Sequence, residues 1–225
     1  MSQNFSSWPR GYREAVALQE VLRHRVRLIP LPRPPRLVGG ADAICDRTGR
    51  QIFGALTVFT YPELELVEEA GAAGDCPFPY RTGLLSFREI PILAAAYQKL
   101  RRRPDVLLVD GQGIAHPRGL GLASHLGLVL DVPTIGVAKS RLVGEGEEPE
   151  MEAGAGSPLF WKGRVVGLIL RTQSGRKPFY LSPGHLITLK EARTIVLGCV
   201  RRYRTPLPLR QADRLSRQLR ARSEG

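Results

Sequence analysis

The chain has 225 residues, 43% hydrophobic and 24% charged, enough to bury a sizeable core in a single domain over 1–225 and too apolar for intrinsic disorder. Its 33 basic and 21 acidic side chains leave a net charge of +12, so an acidic partner is expected. Cys45, Cys76 and Cys199 are far apart and in no Cys/His spacing, which excludes a disulfide framework and a structural zinc site, and neither an apolar run nor a leader pattern points to a membrane or to export.

Apolar positions at Val16, Leu18, Val21, Leu22, Val26 and Leu28 predict a helix over 12–28, ended by the proline-rich stretch from Pro30 to Pro35. Three β-like runs follow, Leu37 to Cys45, Ile52 to Tyr61 and Glu63 to Glu69, with turns short enough for an antiparallel meander. A Gly/Pro-rich loop from Gly71 to Gly83 leads to a helix around Glu89 to Arg103. Then come a strand from Asp105 to Asp110, a helix near Leu120 to Leu130 and a strand from Pro133 to Lys139, an order that reads as crossover units on a parallel half-sheet. Leu159 to Lys162, Arg164 to Thr172 and Pro178 to Ser182 predict a further hairpin set. Helices at Leu189 to Val200 and Gln211 to Ala221 complete a mixed α/β domain, antiparallel at one side and parallel at the other. The tail over 201–225 is strongly basic, with eight basic and two acidic side chains, so basic ends flank a neutral-to-acidic middle.

Four charged residues are candidates for a site, three of them in or at the end of apolar strands. Asp42 interrupts the run from Val38 to Ile44; an unpaired carboxylate there is costly, so either a cation sits beside it or Gly39 and Gly40 make a bulge. Asp110 ends a buried parallel strand, where open α/β sheets collect ligands, and the glycines after it let backbone approach a ligand. Glu89 either closes a capping box with Ser86 or faces the same site, and Pro91 weakens the capping alternative. Lys139 ends the strand expected to neighbour that of Asp110, where its ammonium could hold a phosphate oxygen. Carboxylates plus a lysine in a basic protein fit metal-dependent phosphodiester hydrolysis, with hard oxygen ligands selecting Mg²⁺ or Mn²⁺.

Phe78-Pro-Tyr80, Gly83-Leu-Leu-Ser-Phe-Arg-Glu89, Val109-Asp-Gly-Gln-Gly-Ile-Ala-His-Pro-Arg118, Gly121-Leu-Ala-Ser-His-Leu-Gly127, Pro133-Thr-Ile-Gly-Val-Ala-Lys-Ser140 and Ser182-Pro-Gly-His185 occur in that order. This set resembles bacterial endonuclease V, a DNA-repair nuclease family, over about residues 12–215. The resemblance implies a ribonuclease H-like fold and Mg²⁺-dependent nicking at the second phosphodiester bond 3′ to deoxyinosine, with Mn²⁺ as a substitute metal, leaving 3′-hydroxyl and 5′-phosphate ends. It implies Asp42 and Asp110 as principal metal ligands, Glu89 as the third carboxylate and Lys139 as the catalytic lysine. Asp213 stands where relatives carry a fourth acidic or histidine residue.

The resemblance also implies a wedge of Pro79, Tyr80 and Arg81, in which Tyr80 fills the gap left by an extruded base. Here Arg81 and Thr82 replace the apolar pair that commonly follows the tyrosine. The base itself is expected near Gly83, Leu85, Gly111, Gly113, His116, Gly121 and Leu122, with His116 and His185 equally readable as structural. Expected partners are damaged DNA containing deoxyinosine or, in the alternative, inosine-containing RNA, for a cytoplasmic monomer with no membrane contact. A non-catalytic module that binds deaminated DNA is the remaining alternative. The basic flanks Tyr12 to Arg36 and Arg201 to Arg222 are the expected phosphate-holding surfaces.

Overall fold

The computed structural model describes residues 8–224. Small and apolar residues extend as Leu37–Cys45 (β1) and Gln51–Thr60 (β2) around a turn in which the Asp46 carboxylate accepts from the Arg50 amide, and Leu66–Asp75 (β3) returns beside β2. The chain continues through Leu85–Gln98 (α2), Val106–Val109 (β4), Leu122–Leu130 (α3) and Thr134–Ala138 (β5). Gly156–Trp161 (β6), Arg164–Leu170 (β7), Phe179–His185 (β8), Leu189–Gly198 (α4) and Leu207–Glu224 (α5) follow, and Tyr12–Leu22 (α1) precedes them all.

The strands form one eight-stranded sheet in the order β3-β2-β1-β4-β5-β8-β7-β6. Only the central three, β1, β4 and β5, run parallel; antiparallel strands flank them on both margins, not on one side. Helices α2 and α3 cover one face, packing Ile90, Leu93 and Leu126 on Ala41 and Leu107. Helices α4 and α5 cover the other, with Ile195 and Leu209 against Val38, Leu108 and Val137. At Gly40 any Cβ would overlap the Pro208 backbone, so glycine is what lets α5 lie directly on β1. Pro208 itself is in the first turn of α5, where its missing N–H has no helical partner to lose.

Several predicted boundaries move: α2 ends at Gln98, β6 starts at Gly156 and β8 runs to His185. Strand β3 begins and ends later than Glu63 to Glu69 because its Gly/Ala end pairs with β2 under two helices, Gly71 facing Leu219 and Gly74 facing Ile92. Composition there reads as loop, yet small side chains are what the close helices require. Helix α1 ends at Leu22 and buries Ala15, Gln19 and Leu22; of the predicted apolar positions Val16 and Leu18 pack partly buried on the core, whereas Val21 is exposed. Helix α5 starts four residues before Gln211.

Helix α2 starts before Glu89, and Ser86 does not cap it. The N-cap residue is Leu84, with no side-chain bond, and the Ser86 hydroxyl pairs with His125 Nδ1 at 3.0 Å. Pro91 lies inside the helix and leaves the Phe87 carbonyl without its helical donor; the Trp8 indole Nε1 donates to that carbonyl at 2.7 Å instead. Among the described residues, no helix is long and apolar enough to cross a membrane. The three cysteines are free thiols.

Candidate active site

Side chains alternate across a strand, so parity decides which face a residue meets. Val38 packs on the α4/α5 side, and Asp42 lies an even number of residues further along β1. Val106 and Leu108 put Asp110 on the same side, and Ile135 and Val137 do so for Lys139. Register sets Ala41 beside Val109, and Val109 beside Gly136. The parallel centre of the sheet thereby brings Asp42, within β1, beside Asp110 and Lys139 at the carboxyl ends of β4 and β5.

Lys139 Nζ forms an ion pair with Asp110 Oδ2. Asp42 is held differently: its Oδ2 accepts from the hydroxyl of Ser216 at 2.6 Å, a fully buried residue of α5. The cation expected near Asp42 is Lys139, close enough to favour its charged form, while the direct hydrogen bond comes from a neutral hydroxyl; Gly39 and Gly40 stay in regular register with β2 and make no bulge. Glu89 joins the group from α2, close enough to sense Asp42 and Asp110. Asp213 on α5 has both oxygens 3.0 Å from Arg217 Nε, one turn along the helix, while also facing Asp42 and Lys139.

The electrostatics are those of a crowded set of acids with one ammonium. Burial, with Asp110 and Asp213 adding repulsion, pushes the Asp42 carboxyl up to about 6 despite the Ser216 hydrogen bond and Lys139. Burial likewise holds Glu89 well above the usual carboxylate range, with Asp42 and Asp110 acting in the same direction. Burial opposes the charge on Lys139, but Asp110 beside it overcomes this and raises its pKa.

Among the described residues no group of three or more His, Cys, Asp or Glu side chains forms a metal cage. Oxygen donors that repel one another at a strand end are still the donor set of a hard cation, since Mg²⁺ keeps several waters and takes only one or two carboxylates plus substrate phosphates. Asp42 and Asp110 fit that requirement.

Two cavities meet at the Asp110–Lys139 pair. One, of about 320 Å³, is lined by Gly83, Leu85, Gly111, His116, Gly121 and Leu122, with Tyr80 and Arg81 among its lining residues. Tyr80 is 67% exposed there, while Phe78 is buried and anchors the segment and Pro79 is exposed outside the lining. Gly113 is absent from the wall: a Cβ there would overlap the Pro183 backbone, so this glycine serves strand-to-loop packing and not ligand approach. His116 is buried, its pKa lowered by that burial to about 4, and its Nε2 meets the Gly83 carbonyl at 2.9 Å. His185 is structural, accepting at Nδ1 from the Arg27 amide at 3.2 Å.

The other cavity, of about 640 Å³, is a groove lined by Arg176, Arg202, Tyr203, Arg204, Arg210 and Arg217 beside Asp213. The Arg210 guanidinium stacks 3.6 Å from the Tyr203 ring centroid. Four of these arginines, Arg202, Arg204, Arg210 and Arg217, come from the carboxy-terminal flank expected to hold phosphate. Arg176 in this groove, Ser216 beside Asp42 and Gln19 in the lining of the first cavity carry no local motif; the sole sequence signal for Gln19 is a polar residue on the buried stripe of α1.

The endonuclease V family model matches residues 20–214. The endonuclease V of Nostoc punctiforme is 46% identical over 211 residues, covering 93% of this chain and 96% of the relative. The crystal structure of endonuclease V from Streptomyces avermitilis superposes with a TM-score of 0.93 at 41% identity, over 98% of this chain and 97% of that one. Endonuclease V of Ciona intestinalis, crystallised with a 24mer DNA containing an inosine followed by a ribo-adenosine, superposes at 0.81 and 27% identity, over 93% and 98%. The similarity runs through every strand of the sheet and both sides of the Asp110–Lys139 pair: this chain belongs to the endonuclease V family, nucleases of the ribonuclease H-like fold.

Proposed function

We propose that the protein nicks DNA at deoxyinosine, hydrolysing the second phosphodiester bond 3′ to the deaminated base and leaving 3′-hydroxyl and 5′-phosphate ends. The observation that carries this reading is the position of the Asp110–Lys139 pair at the junction of a compact, glycine-lined cavity and an arginine groove. A lesion-directed nuclease needs to hold an extruded base and to grip a strand, with hydrolysis between the two. The DNA bound to the Ciona intestinalis relative, which contains inosine, supports the same substrate class.

The cavity, near the lower size limit of ligand pockets, takes the extruded purine. Gly83, Gly111 and Gly121 in its lining let backbone groups approach hypoxanthine, which differs from adenine in offering a carbonyl acceptor and a ring N–H donor. Tyr80, exposed by the cavity, stacks into the gap left in the duplex and recovers part of the cost of unstacking. Arg81 beside it contacts phosphate. Asp42 and Asp110 would hold Mg²⁺ or Mn²⁺, with Glu89 as a third carboxylate and Asp213 further out. When bound, the cation activates water and neutralises charge developing on phosphate. Lys139 holds a phosphate oxygen, and Ser216 orients Asp42 from the side away from substrate. The groove arginines hold the strand beyond the scissile bond.

The test is a nicking assay with Mg²⁺ on matched duplexes carrying deoxyadenosine, deoxyinosine, or inosine followed by a ribonucleotide, with product ends mapped. A nick at the second bond 3′ to deoxyinosine, absent from the adenosine duplex, is expected. Cleavage only of the ribonucleotide strand would move the substrate to RNA, and no cleavage with either Mg²⁺ or Mn²⁺ would leave a binding module.

A further inference from the structure

We infer that Gln19 of α1 is a positioning residue for the purine cavity, setting the gap between its two walls without touching the base. The inference rests on the reading of that cavity as the base pocket. Gln19 is 1% exposed and shares the buried stripe of α1 with Ala15 and Leu22, where an apolar residue would be ordinary. Its Nε2 donates to the Gly83 carbonyl at 3.0 Å and to the Leu120 carbonyl at 3.1 Å. Its Oε1 accepts from Arg118 Nε at 2.5 Å. One amide therefore ties together α1, the segment before α2 and the segment before α3, and Gly83 and Leu120 both line the cavity.

The amide has no donor to spare for a ligand, because both its N–H groups are spent on these carbonyls. What it does is converge with two other groups on Gly83. The Gly83 carbonyl also accepts from His116 Nε2 and Arg118 Nη2, each at 2.9 Å. The Arg118 amide donates to His116 Nδ1 at 3.2 Å, so the neutral imidazole carries its proton on Nε2 and is a donor to Gly83.

Gly83 needs this clamp for a local reason. It has a positive φ of 76°, and the helix that follows it starts without a side-chain cap, since Ser86 is turned to His125. Helix α2 thus opens onto the cavity without a side-chain cap, and its own first turn closes with a bond from the Phe87 amide to the Leu84 carbonyl that leaves the Gly83 carbonyl free for the clamp. Gln19 restrains that carbonyl from the side of α1. An apolar replacement would leave the Leu120 carbonyl and Arg118 Nε without their partners in a buried setting, and both walls would relax.

The experiment compares the full-length wild-type chain with Gln19→Met and Gln19→Glu. Methionine keeps the length and removes every hydrogen bond; glutamate keeps the acceptor for Arg118 but turns its other oxygen against two carbonyls. With folding checked by circular dichroism and thermal melting, each variant should raise KM for the deoxyinosine duplex by at least about 10-fold. The single-turnover nicking rate at saturation should change much less, and affinity for undamaged duplex should stay within about twofold of wild type, since the groove is intact. If Gln19 and Arg118 act through one clamp, Gln19→Met combined with Arg118→Met should lose little more than the worse single variant. A folded Gln19 variant with wild-type preference for deoxyinosine overturns the inference, as does equal loss on damaged and undamaged strands. Wild type is run beside them: a wild type without preference for deoxyinosine overturns the base-pocket reading itself, whereas a selective wild type with equally selective variants overturns only the role of Gln19.

Discussion

The cavity and the arginine groove share Asp110 and Lys139 and little else. On the cavity side, polar groups bond to one another: Gln19, His116 and Arg118 all spend donors on Gly83, and burial keeps His116 neutral. On the groove side, arginines reach solvent around Tyr203, with Arg210 stacked on its ring. The first arrangement is a closed hydrogen-bond network, as discrimination between similar bases demands, because a misplaced wall costs selectivity at once. The second is charged and open, as grip on any phosphate chain demands. The net charge of +12 is therefore not spread over a general nucleic-acid surface. Its carboxy-terminal share lines the groove, whereas the arginines of the amino-terminal flank line neither cavity.

If that division holds, variants at the junction should abolish chemistry and spare both sides. Asp110→Ala should lower Mg²⁺-dependent nicking of a deoxyinosine duplex by about 10³-fold or more, the scale on which a principal electrostatic group is lost, with binding in gel-shift titrations largely retained. Retained nicking would remove Asp110 from the metal site. Next in size, Tyr80→Ala should cut the preference for deoxyinosine over normal duplex by about 10-fold, the value of one stacked base, while leaving affinity for undamaged DNA nearly unchanged. Equal losses on both duplexes would assign Tyr80 to the groove's function instead.

On the other side, Arg202→Ala combined with Arg210→Ala should weaken both duplexes by the same factor. The slope of log affinity against log salt should become shallower by up to about 2, one for each phosphate no longer neutralised. A change in lesion preference would break the comparison.

The smallest effect concerns stability and tests the crowded acids between the two regions. The folded carboxyl of Asp42 sits at about 6, above the ordinary value of 3.8, so its contribution to stability is present at acid pH and is lost as pH rises through about 6. In metal-free protein at pH 7, Asp42→Asn should therefore raise stability by about 1–3 kcal/mol, seen as a Tm several degrees higher, while nicking is lost. An unchanged or lower Tm would mean that the ionised carboxylate is better compensated than its surroundings indicate.

How far the site was legible depends on which kind of neighbour each residue needed. Asp110 and Lys139 could be paired in advance, because strand order and parity bring together residues at the ends of neighbouring parallel strands. Glu89 is ambiguous with a helix cap in sequence, and only the pairing of Ser86 with His125 removes the capping alternative. For Asp42 the apolar run points to a cation, which Lys139 supplies nearby, but not to the serine 174 residues away in the chain that donates the direct hydrogen bond. For Asp213 the neighbours Arg210 and Arg214 look equally eligible in sequence, but the helical i,i+4 geometry selects Arg217.

Local rules thus determined the mixed α/β class, the crossover units around β4 and β5, the charged strand ends and the family. They act over a few residues, through strand alternation, proline and glycine constraints and ordered motifs. Tertiary structure alone decided that antiparallel strands flank both margins, that the Gly/Ala run at 70–74 is a strand, and that Pro91 is accepted inside α2 because Trp8 donates to the Phe87 carbonyl. It also decided that Gln19 braces a cavity far along the chain and that Ser216 holds Asp42. Those outcomes depend on hydrogen bonds and close packing between segments widely separated in sequence, and a buried donor takes whichever acceptor the fold brings within about 3 Å, a choice no short stretch of residues contains.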